Sequence, residues 1–173
     1  MTTPIFGITG WKNSGKTVLT CKLVAEFTRR GFRVATVKHA HHDFDIDHAG
    51  TDSFRHRKAG ARQVAIVSSR RWALMHELSG AREPTLAEVL ARMSPCDLIL
   101  IEGYKREGHP KIEARRLAAA DQTPIGPEDP TIVAIASDHA VTGTGLPAYS
   151  IDDVSGIADL IATRLGLRKG NPG

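Results

Sequence analysis

Cysteine is scarce in this chain of 173 residues, which contains Cys21 and Cys96 and no others. Neither residue belongs to a CxxC pair, so the sequence indicates neither a disulfide framework nor a zinc site with cysteine ligands. We expect Cys21 to pack as a small core residue. The chain also lacks an apolar run of membrane-spanning length and a basic segment followed by an apolar one, as in a secretory signal. We therefore expect a cytoplasmic protein that does not enter a membrane.

Aromatic residues make up only 5% of the chain, and none is interleaved with basic residues as a base-stacking platform. The formal net charge is +4 and the pI is about 9.3, because arginine pairs such as Arg29–Arg30 and Arg115–Arg116 outweigh the acids. This surplus favours anionic ligands, whereas the scattered pairs do not favour nucleic acid. A hydrophobic fraction of 41% is typical of one compact domain.

Hydrophobic periodicity alternates between strand and helix patterns, which predicts a three-layer α/β domain with a mostly parallel central sheet. The predicted strands are 4–9, 33–38, 97–101, 111–115 and 131–136, with an antiparallel hairpin formed by 63–68 and 72–78. The predicted helices are 15–30, 52–59, the segment after a Thr85–Glu88 capping box, and a C-terminal helix with Ile157, Leu160, Ile161 and Leu165 on its core side. We expect one domain over residues 1–167 and a tail over 168–173.

The pattern GxxxxGK[ST] occurs between the first predicted strand and the first predicted helix, which is the context that a phosphate-binding P-loop requires. Its residues are Gly10, Trp11, Lys12, Asn13, Ser14, Gly15, Lys16 and Thr17. The glycines allow a tight turn that presents main-chain N–H groups to phosphate oxygens at a helix N-terminus. Lys16 is predicted to contact the β- and γ-phosphates during catalysis, and the Thr17 hydroxyl to ligate Mg²⁺.

A magnesium-bound triphosphate also needs a carboxylate at the C-terminal edge of a neighbouring strand. The strand Asp97–Ile101 is followed by Glu102, whereas Asp97 lies about 16 Å away at the opposite edge. Glu102 is therefore the predicted metal residue, acting directly or through water. Asp97 is predicted to cap a strand end.

The segment His39–Gly50 is rich in histidine and aspartate and is too polar for a core element. If it is extended, His41, Asp43, Asp45 and Asp47 point to one side. We select Asp47, which precedes Ala49–Gly50 in a DxxG pattern, as the residue that reaches Mg²⁺ or positions a water. Capture of a transition metal by the histidines is an alternative, although their spacing fits no closed tetrahedral set.

Four blocks of this sequence follow one another between Gly7 and Arg115: GITGWKNSGKT, VKHAHHDFDIDHAGTDSFRHRKAGA, DLILIEGYK and PKIEAR. They resemble the molybdopterin-guanine dinucleotide biosynthesis protein B family (MobB). The resemblance implies a GTP-binding P-loop protein with weak intrinsic hydrolysis that forms a homodimer. It also implies an accessory role to the MobA nucleotidyltransferase, which joins GMP to molybdopterin. By motif, Arg55, Arg57, Lys105 and Lys111 become candidates for binding anionic groups of molybdopterin or its guanine dinucleotide.

Guanine specificity is implied by the resemblance and has no motif of its own in this chain. GTP-binding proteins commonly read the base with the carboxylate of an NKxD motif, which is absent here. Asp138 follows a predicted strand in IASDH and could occupy the equivalent position, but the preceding lysine is missing. Asp138 is therefore the candidate base-reading residue.

Two other functions are compatible with the motifs. A metallochaperone GTPase would use the histidine-rich loop as its delivery site, and would bind Ni²⁺ or Zn²⁺ through His39, His41 and His42. A small-molecule kinase would need an arginine-rich lid, for which Arg70–Arg71 is the only candidate. Enzymatic activity beyond slow conversion of GTP to GDP and phosphate is not predicted.

Overall fold

The computed structural model of the chain describes residues 3–40 and 44–168. His41, His42 and Asp43 of the predicted histidine-rich loop, and residues 169–173 of the predicted tail, lie outside the described residues. The chain divides into two compact units, one formed by residues 1–40 with 95–173 and the other by residues 41–94. The sequence predicts one domain over residues 1–167, because no change in composition marks the borders of these units.

Nearly all strands and helices in the described part of the chain lie where the sequence predicted them. The strands are β1 (Ile5–Thr9), β2 (Val34–Lys38), β3 (Gln63–Val67), β4 (Trp72–His76), β5 (Leu98–Glu102), β6 (Lys111–Arg115), β7 (Ile132–Ser137) and β8 (Ala148–Ser150). The helices are α1 (Lys16–Arg29), α2 (Asp52–Lys58), α3 (Leu86–Leu90) and α4 (Val154–Leu165), with a 3₁₀ turn at Gly126–Glu128. The three-residue strand β8 and the 3₁₀ turn were not predicted. Among the described residues, none of these helices has the length and apolar content needed to cross a bilayer.

The first unit is built on a six-stranded sheet in the order β2-β5-β1-β6-β7-β8. Every neighbouring pair is parallel, which confirms the predicted α/β class. All residues of β5 are buried, as expected for a strand covered on both faces. Because the strands are parallel, their carboxyl ends meet at one edge of the sheet, and ligands bind at that edge in folds of this class.

Helices α1 and α4 pack on one face of this sheet. Leu19, Leu23 and Phe27 recur every four residues on α1 and are fully buried, as are Ile157 and Ile161 of α4. This spacing places each set on one side of its helix, so the two helices share a continuous apolar core with the sheet. The core therefore fixes the position of α1, whose first turn follows the predicted phosphate loop.

Cys21 lies outside this core, and the prediction that it packs there is wrong. Its side chain is exposed on α1. Cys21 is two residues from both Leu19 and Leu23, which corresponds to a rotation of about 200° around a helix with 3.6 residues per turn. The helical phase that buries the two leucines therefore turns the thiol away from the sheet.

Lys111 is fully buried on the opposite face of β6. Its Nζ donates hydrogen bonds to the carbonyl oxygen of Glu107 (2.5 Å) and to the Thr131 hydroxyl, and it lies 3.4 Å from the Asp129 carboxylate. A buried ammonium requires such partners because the loss of its hydration is costly. Lys111 therefore fastens the chain on both sides of β6 to the sheet.

Irregular chain also covers the neighbouring part of this face. The carboxylate of Glu113 accepts hydrogen bonds from the main-chain nitrogens of Ile125 (3.0 Å) and Gly126 (2.9 Å). The His109 ring lies against Gly7 so closely that a Cβ on this glycine would be 2.6 Å from Nε2. Burial lowers the pKa of His109 to about 4, and the nearby charge of Lys111 acts in the same direction. The ring is therefore neutral near pH 7.

The second unit contains α2, α3 and a two-stranded antiparallel sheet formed by β3 and β4, which confirms the predicted hairpin. The main-chain nitrogen of Ser68 donates to the carbonyl oxygen of Arg71 (2.9 Å), and the Ser68 hydroxyl accepts hydrogen bonds from the main-chain nitrogens of Arg70 and Arg71. The serine side chain therefore stabilises a turn that lacks the Asn-Gly sequence of the favoured tight turns. The predicted capping box of Thr85 and Glu88 at the start of α3 is confirmed.

We predict that Lys111→Met destabilises the protein by about 1–3 kcal/mol. The substitution keeps most of the side-chain volume but leaves buried acceptors without their donor. Lys12→Met is the matched control, because it makes the same substitution at an exposed position of the same unit. The free energy of unfolding in urea, followed by circular dichroism, measures both variants. Equal stability of the two variants would contradict a structural role for Lys111.

Candidate nucleotide-binding site

The predicted phosphate loop turns sharply from the end of β1 into α1. Gly10, Asn13 and Gly15 all have positive φ angles, of 145°, 64° and 89°. A Cβ on Gly10 would lie 2.4 Å from Ser14 Oγ and 2.5 Å from the carbonyl oxygen of Ala114. Glycine is therefore required at this position both by the backbone conformation and by the lack of space.

The first turn of α1 offers free main-chain donors to an anion. Gly15 is the N-cap and no side chain caps the helix, whose first main-chain bond runs from Leu19 N to Gly15 O (3.0 Å). The main-chain N–H groups that precede Leu19 N form the positive end of the helix dipole. The buried Ser14 hydroxyl also has no hydrogen-bond partner within the part of the chain that the structure describes. These groups suit the oxygens of a phosphate chain.

Lys16 points back across the loop, where its Nζ donates to the carbonyl oxygen of Trp11 (2.5 Å). Burial lowers the pKa of Lys16; the charge of Glu102 opposes this shift, and the charges of Lys105 and Lys38 add to it. Several cations therefore lie close together around one carboxylate. Such a cluster is stabilised by an incoming polyanion.

Thr17 and Glu102 form the predicted metal pair. Glu102 is the last residue of β5, where it is in register with Ile8 of β1 and Lys38 of β2. The Thr17 hydroxyl donates to Glu102 Oε1 at 2.7 Å, and the glutamate side chain is only 10% exposed. The structure thus brings together the two residues that the sequence selected from separate motifs as candidate metal ligands.

The two oxygens fit a hard divalent cation. Mg²⁺ binds through one or two protein oxygens and completes its shell with water and phosphate oxygens, so a larger protein cage is not required. No group of three or more His, Cys, Asp or Glu residues suited to a metal ion occurs among residues 3–40 and 44–168. His41 and His42, on which the metallochaperone alternative depends, are outside these ranges.

Asp97 occupies the other end of β5, as the sequence predicted. Its carboxylate accepts a hydrogen bond from the main-chain nitrogen of Arg33 (2.7 Å) and pairs with the guanidinium of the same residue (2.8 Å). These contacts tie the beginning of β2 to the beginning of β5. The choice of Glu102 over Asp97 as the metal residue is therefore consistent with the geometry.

Trp11 and Lys105 lie together beside the phosphate loop. The Trp11 indole Nε1 donates to the carbonyl oxygen of Thr123 (2.7 Å), and Lys105 Nζ is 3.5 Å from the centre of the indole ring. Burial lowers the pKa of Lys105, with the charges of Asp121 and Glu113 opposing this shift. Of the four predicted anion-binding residues, Lys105 is the one that the fold of the first unit places next to the loop.

Asp138 follows β7 at the same edge of the sheet as the phosphate loop. Its Oδ1 accepts from the main-chain nitrogen of Leu117 (3.1 Å) and lies 2.8 Å from Nδ1 of His139. The bond to His139 is the main cause that lowers the pKa of this carboxyl. Asp138 is thus ionised at neutral pH, as a reader of guanine N–H groups must be.

The remaining predicted site residues have other surroundings. Lys111 belongs to the buried group described above, and its ammonium is already paired there, which argues against the expected anion-binding role. In the second unit, Arg57 contacts the carboxylates of Asp45 (2.6 Å), Asp47 and Glu77 (3.0 Å). Three carboxylates more than balance its charge, which argues against an anion-binding role for Arg57.

Asp47 and Arg55 of the second unit differ in exposure. The Asp47 side chain is 4% exposed and its Oδ1 is paired with Arg57. Arg55 is 72% exposed, with its guanidinium 3.7 Å from the carboxylate of Asp52. Arg55 therefore keeps an accessible charge, and the catalytic role of Asp47 stays a prediction.

Two cations near the loop were missed by the sequence analysis. Lys38 Nζ is 3.4 Å from Glu102 Oε1, and Arg116 Nε lies 2.6 Å from the position that a Cβ on Gly15 would take. Both residues end or follow parallel strands of the sheet, at the edge that holds the loop. Their position directly after an apolar strand core was the available signal.

Comparison with known proteins identifies relatives of the whole chain. The profile of the family described as molybdopterin guanine dinucleotide synthesis protein B (MobB) matches residues 5–138. The molybdopterin-guanine dinucleotide biosynthesis adapter protein of Escherichia coli is 39% identical over 160 residues, which are 91% of each chain. The protein of the same name from Haemophilus influenzae is 35% identical over 91% of this chain and 87% of its own.

Solved structures agree with these sequence matches. A crystal structure of molybdopterin-guanine biosynthesis protein B superposes with a TM-score of 0.71 at 27% identity, covering 94% of this chain and 99% of the other. MobB of Bacillus subtilis gives a TM-score of 0.72 at 26% identity, with coverage of 94% and 98%. The phosphate loop, the Thr17–Glu102 pair and the parallel sheet thus occur in a chain with full-length relatives of one kind. This chain belongs to the MobB family, whose role lies in molybdopterin guanine dinucleotide biosynthesis.

Proposed function

We propose that this chain binds GTP with Mg²⁺ at the phosphate loop and hydrolyses it slowly. We further propose that it acts in the cytoplasm as a homodimeric adapter for a MobA-type nucleotidyltransferase. The observation that carries the nucleotide proposal is the 2.7 Å contact between Thr17 Oγ1 and Glu102 Oε1, directly beside the uncapped start of α1. The hydroxyl and the carboxylate are suited to a cation, and the main-chain N–H groups at the start of the helix are suited to a phosphate, which supports the proposal.

Each residue of the site has a part in this proposal. The loop main chain and Lys16 hold the phosphates, while Thr17 and Glu102 hold the cation. Bound Mg²⁺ would supply charge neutralisation across the terminal phosphates. No side chain between Gly10 and Thr17 is a base that could activate a water, which is in keeping with slow hydrolysis.

Lys16→Ala is expected to weaken GTP binding by about tenfold to hundredfold while leaving the fold intact. The variant removes a charged donor to phosphate, and such contacts contribute about 1.5–3 kcal/mol each. Titration with a fluorescent GTP analogue measures the dissociation constant, and competition with ATP measures base selectivity. Glu102→Gln is the companion variant, because it keeps the shape and the bond to Thr17 but should lose most of the Mg²⁺ dependence.

Two results would contradict this site. If Lys16→Ala binds GTP as tightly as the unchanged protein and melts at the same temperature, the phosphate loop is not the GTP-binding site. If the Mg²⁺ dependence of GTP binding is unchanged in Glu102→Gln, Glu102 is not a magnesium ligand, and the phosphate-binding role of the loop is unaffected.

The hairpin of the second unit supports the homodimer. Val67 and Trp72 face each other across the two strands, and Leu74 lies two residues further on the same face. Val67 is 75% exposed, Trp72 is 69% exposed and Leu74 is 53% exposed. Val64 and Met75, on the other face of the hairpin, are buried. A contiguous apolar face on a two-stranded sheet is a surface that a second copy of the chain would cover.

Val67→Glu together with Trp72→Glu is expected to shift the chain from dimer to monomer. The two carboxylates would face their symmetry mates across an isologous interface and would have to be desolvated there. Light scattering after size exclusion would then report a mass near 18.7 kDa, about half that of the unchanged protein. Ala87→Glu, on the exposed side of α3 in the same unit, is the control that should remain dimeric. A double variant that stays dimeric would exclude the hairpin face as the interface.

The adapter role is proposed from the family role and from the nucleotide site. We expect a MobA-type nucleotidyltransferase, with molybdopterin or its guanine dinucleotide, to bind this chain more tightly in the presence of a non-hydrolysable GTP analogue than without nucleotide. The dependence arises if the nucleotide changes the order of the Ala40–Gly50 segment. Surface plasmon resonance with immobilised nucleotidyltransferase measures the difference, and Lys16→Ala should abolish it. Equal binding with and without nucleotide would separate the adapter role from the nucleotide site.

A further inference from the structure

Lys38 shares its carboxylate partner with the proposed metal site. It ends β2, in register with Glu102 at the end of β5. Its Nζ lies 3.4 Å from Glu102 Oε1, and this is the oxygen that accepts the Thr17 hydroxyl at 2.7 Å. The ammonium therefore occupies a position next to the proposed cation ligands.

The two partners differ in how freely they can move. The Glu102 side chain is 10% exposed, whereas that of Lys38 is 61% exposed. Glu102 is also held through its main chain, since its carbonyl oxygen accepts from His39 N at 3.0 Å. Lys38 can thus change its side-chain torsions without repacking the core, while Glu102 stays in place.

We infer that Lys38 is a specificity residue for the terminal phosphate, which it contacts when a cation binds between Thr17 and Glu102. This inference rests on the proposed nucleotide function and names a residue of the same site. A divalent charge at Glu102 Oε1 would repel the ammonium, and the exposed stem allows it to turn toward the nearest anion. A magnesium ion held there would neutralise charge on the terminal phosphates of a triphosphate, so the anion nearest to the displaced ammonium would be the terminal phosphate.

The surroundings leave room for this movement. Lys38, Thr17 and Glu102 are among the residues that line a cavity of about 370 Å³. The other lining residues, such as Val24 and Val37, are uncharged and offer no competing anion. The charge of Lys38 is also close enough to contribute to the lowered pKa of Lys16, so both ammonium groups act on the same region.

The test compares the affinities of a triphosphate and a diphosphate. We would titrate the full chain with guanosine 5′-(β,γ-imido)triphosphate and with GDP, both with Mg²⁺, for Lys38→Met and Lys38→Arg. Lys38→Met should lose about tenfold or more in triphosphate affinity and less than about twofold in GDP affinity. Lys38→Arg should recover most of the triphosphate affinity. Arg33→Met is the control, because it makes the same charge change at the opposite end of the same strand.

Each other outcome would overturn the inference. Equal losses for both nucleotides would mean that Lys38 positions Glu102 or the loop, and no loss would mean that it does not contact the ligand. Failure of the unchanged chain to bind either nucleotide would overturn the proposed function itself, and this inference with it. Thermal melting of each variant separates these results from a failure to fold.

Discussion

The candidate site depends on the register of one buried strand, β5. This strand lies between β1 and β2, and its last residue, Glu102, is aligned with Ile8 on one side and Lys38 on the other. A shift by one residue would turn the Glu102 side chain to the other face of the sheet. The apolar residues that bury β5 on both faces therefore set the position of the one carboxylate that the Thr17 hydroxyl meets.

The charges around this carboxylate explain why the arrangement suits a polyanion. The charges of Lys105 and Lys38 both lower the pKa of Lys16, and the carboxylate of Glu102, which opposes this shift, pairs with Lys38 and accepts the Thr17 hydroxyl. Burial lowers the pKa of Lys16, which means that its ionised form is held at a cost in the absence of a ligand. Phosphate groups that pair with the lysine side chains would offset this cost, so ligand binding and the local stability of the site are linked.

The sequence predicted the site where the relevant rules are local. The glycine spacing, the apolar strand before it and the helix after it define the phosphate loop, and strand length alone separates Glu102 from Asp97. The position of Lys38 at the end of a predicted strand was a local signal for the ligand-binding edge of the sheet, but its proximity to Glu102 depends on the pairing of β2 with β5, which no local pattern specifies. The exposure of Cys21, in contrast, follows from its angular distance to Leu19 and could have been predicted.

Lys111 shows a different limit of sequence reasoning. Alternating charged and apolar residues in KIEAR are typical of a strand with one solvated face. In this fold both faces are covered, and the acceptors for the ammonium come from Glu107 and Thr131, on either side of β6. Only the path of the irregular chain distinguishes a buried, paired lysine from a surface one. The pattern indicated the strand correctly and could not indicate its environment.

The pairing of Asp47 constrains how this residue could act on a nucleotide. Its carboxylate would first have to leave Arg57, and separating a mostly buried ion pair is costly when either charge is left without a partner. Arg57, however, also contacts Asp45 and Glu77, so its charge stays balanced after Asp47 departs. Any one of the three carboxylates could therefore leave with Arg57 still paired, and Asp47, whose side chain is 4% exposed against 48% for Asp45 and 40% for Glu77, is the most firmly buried of them.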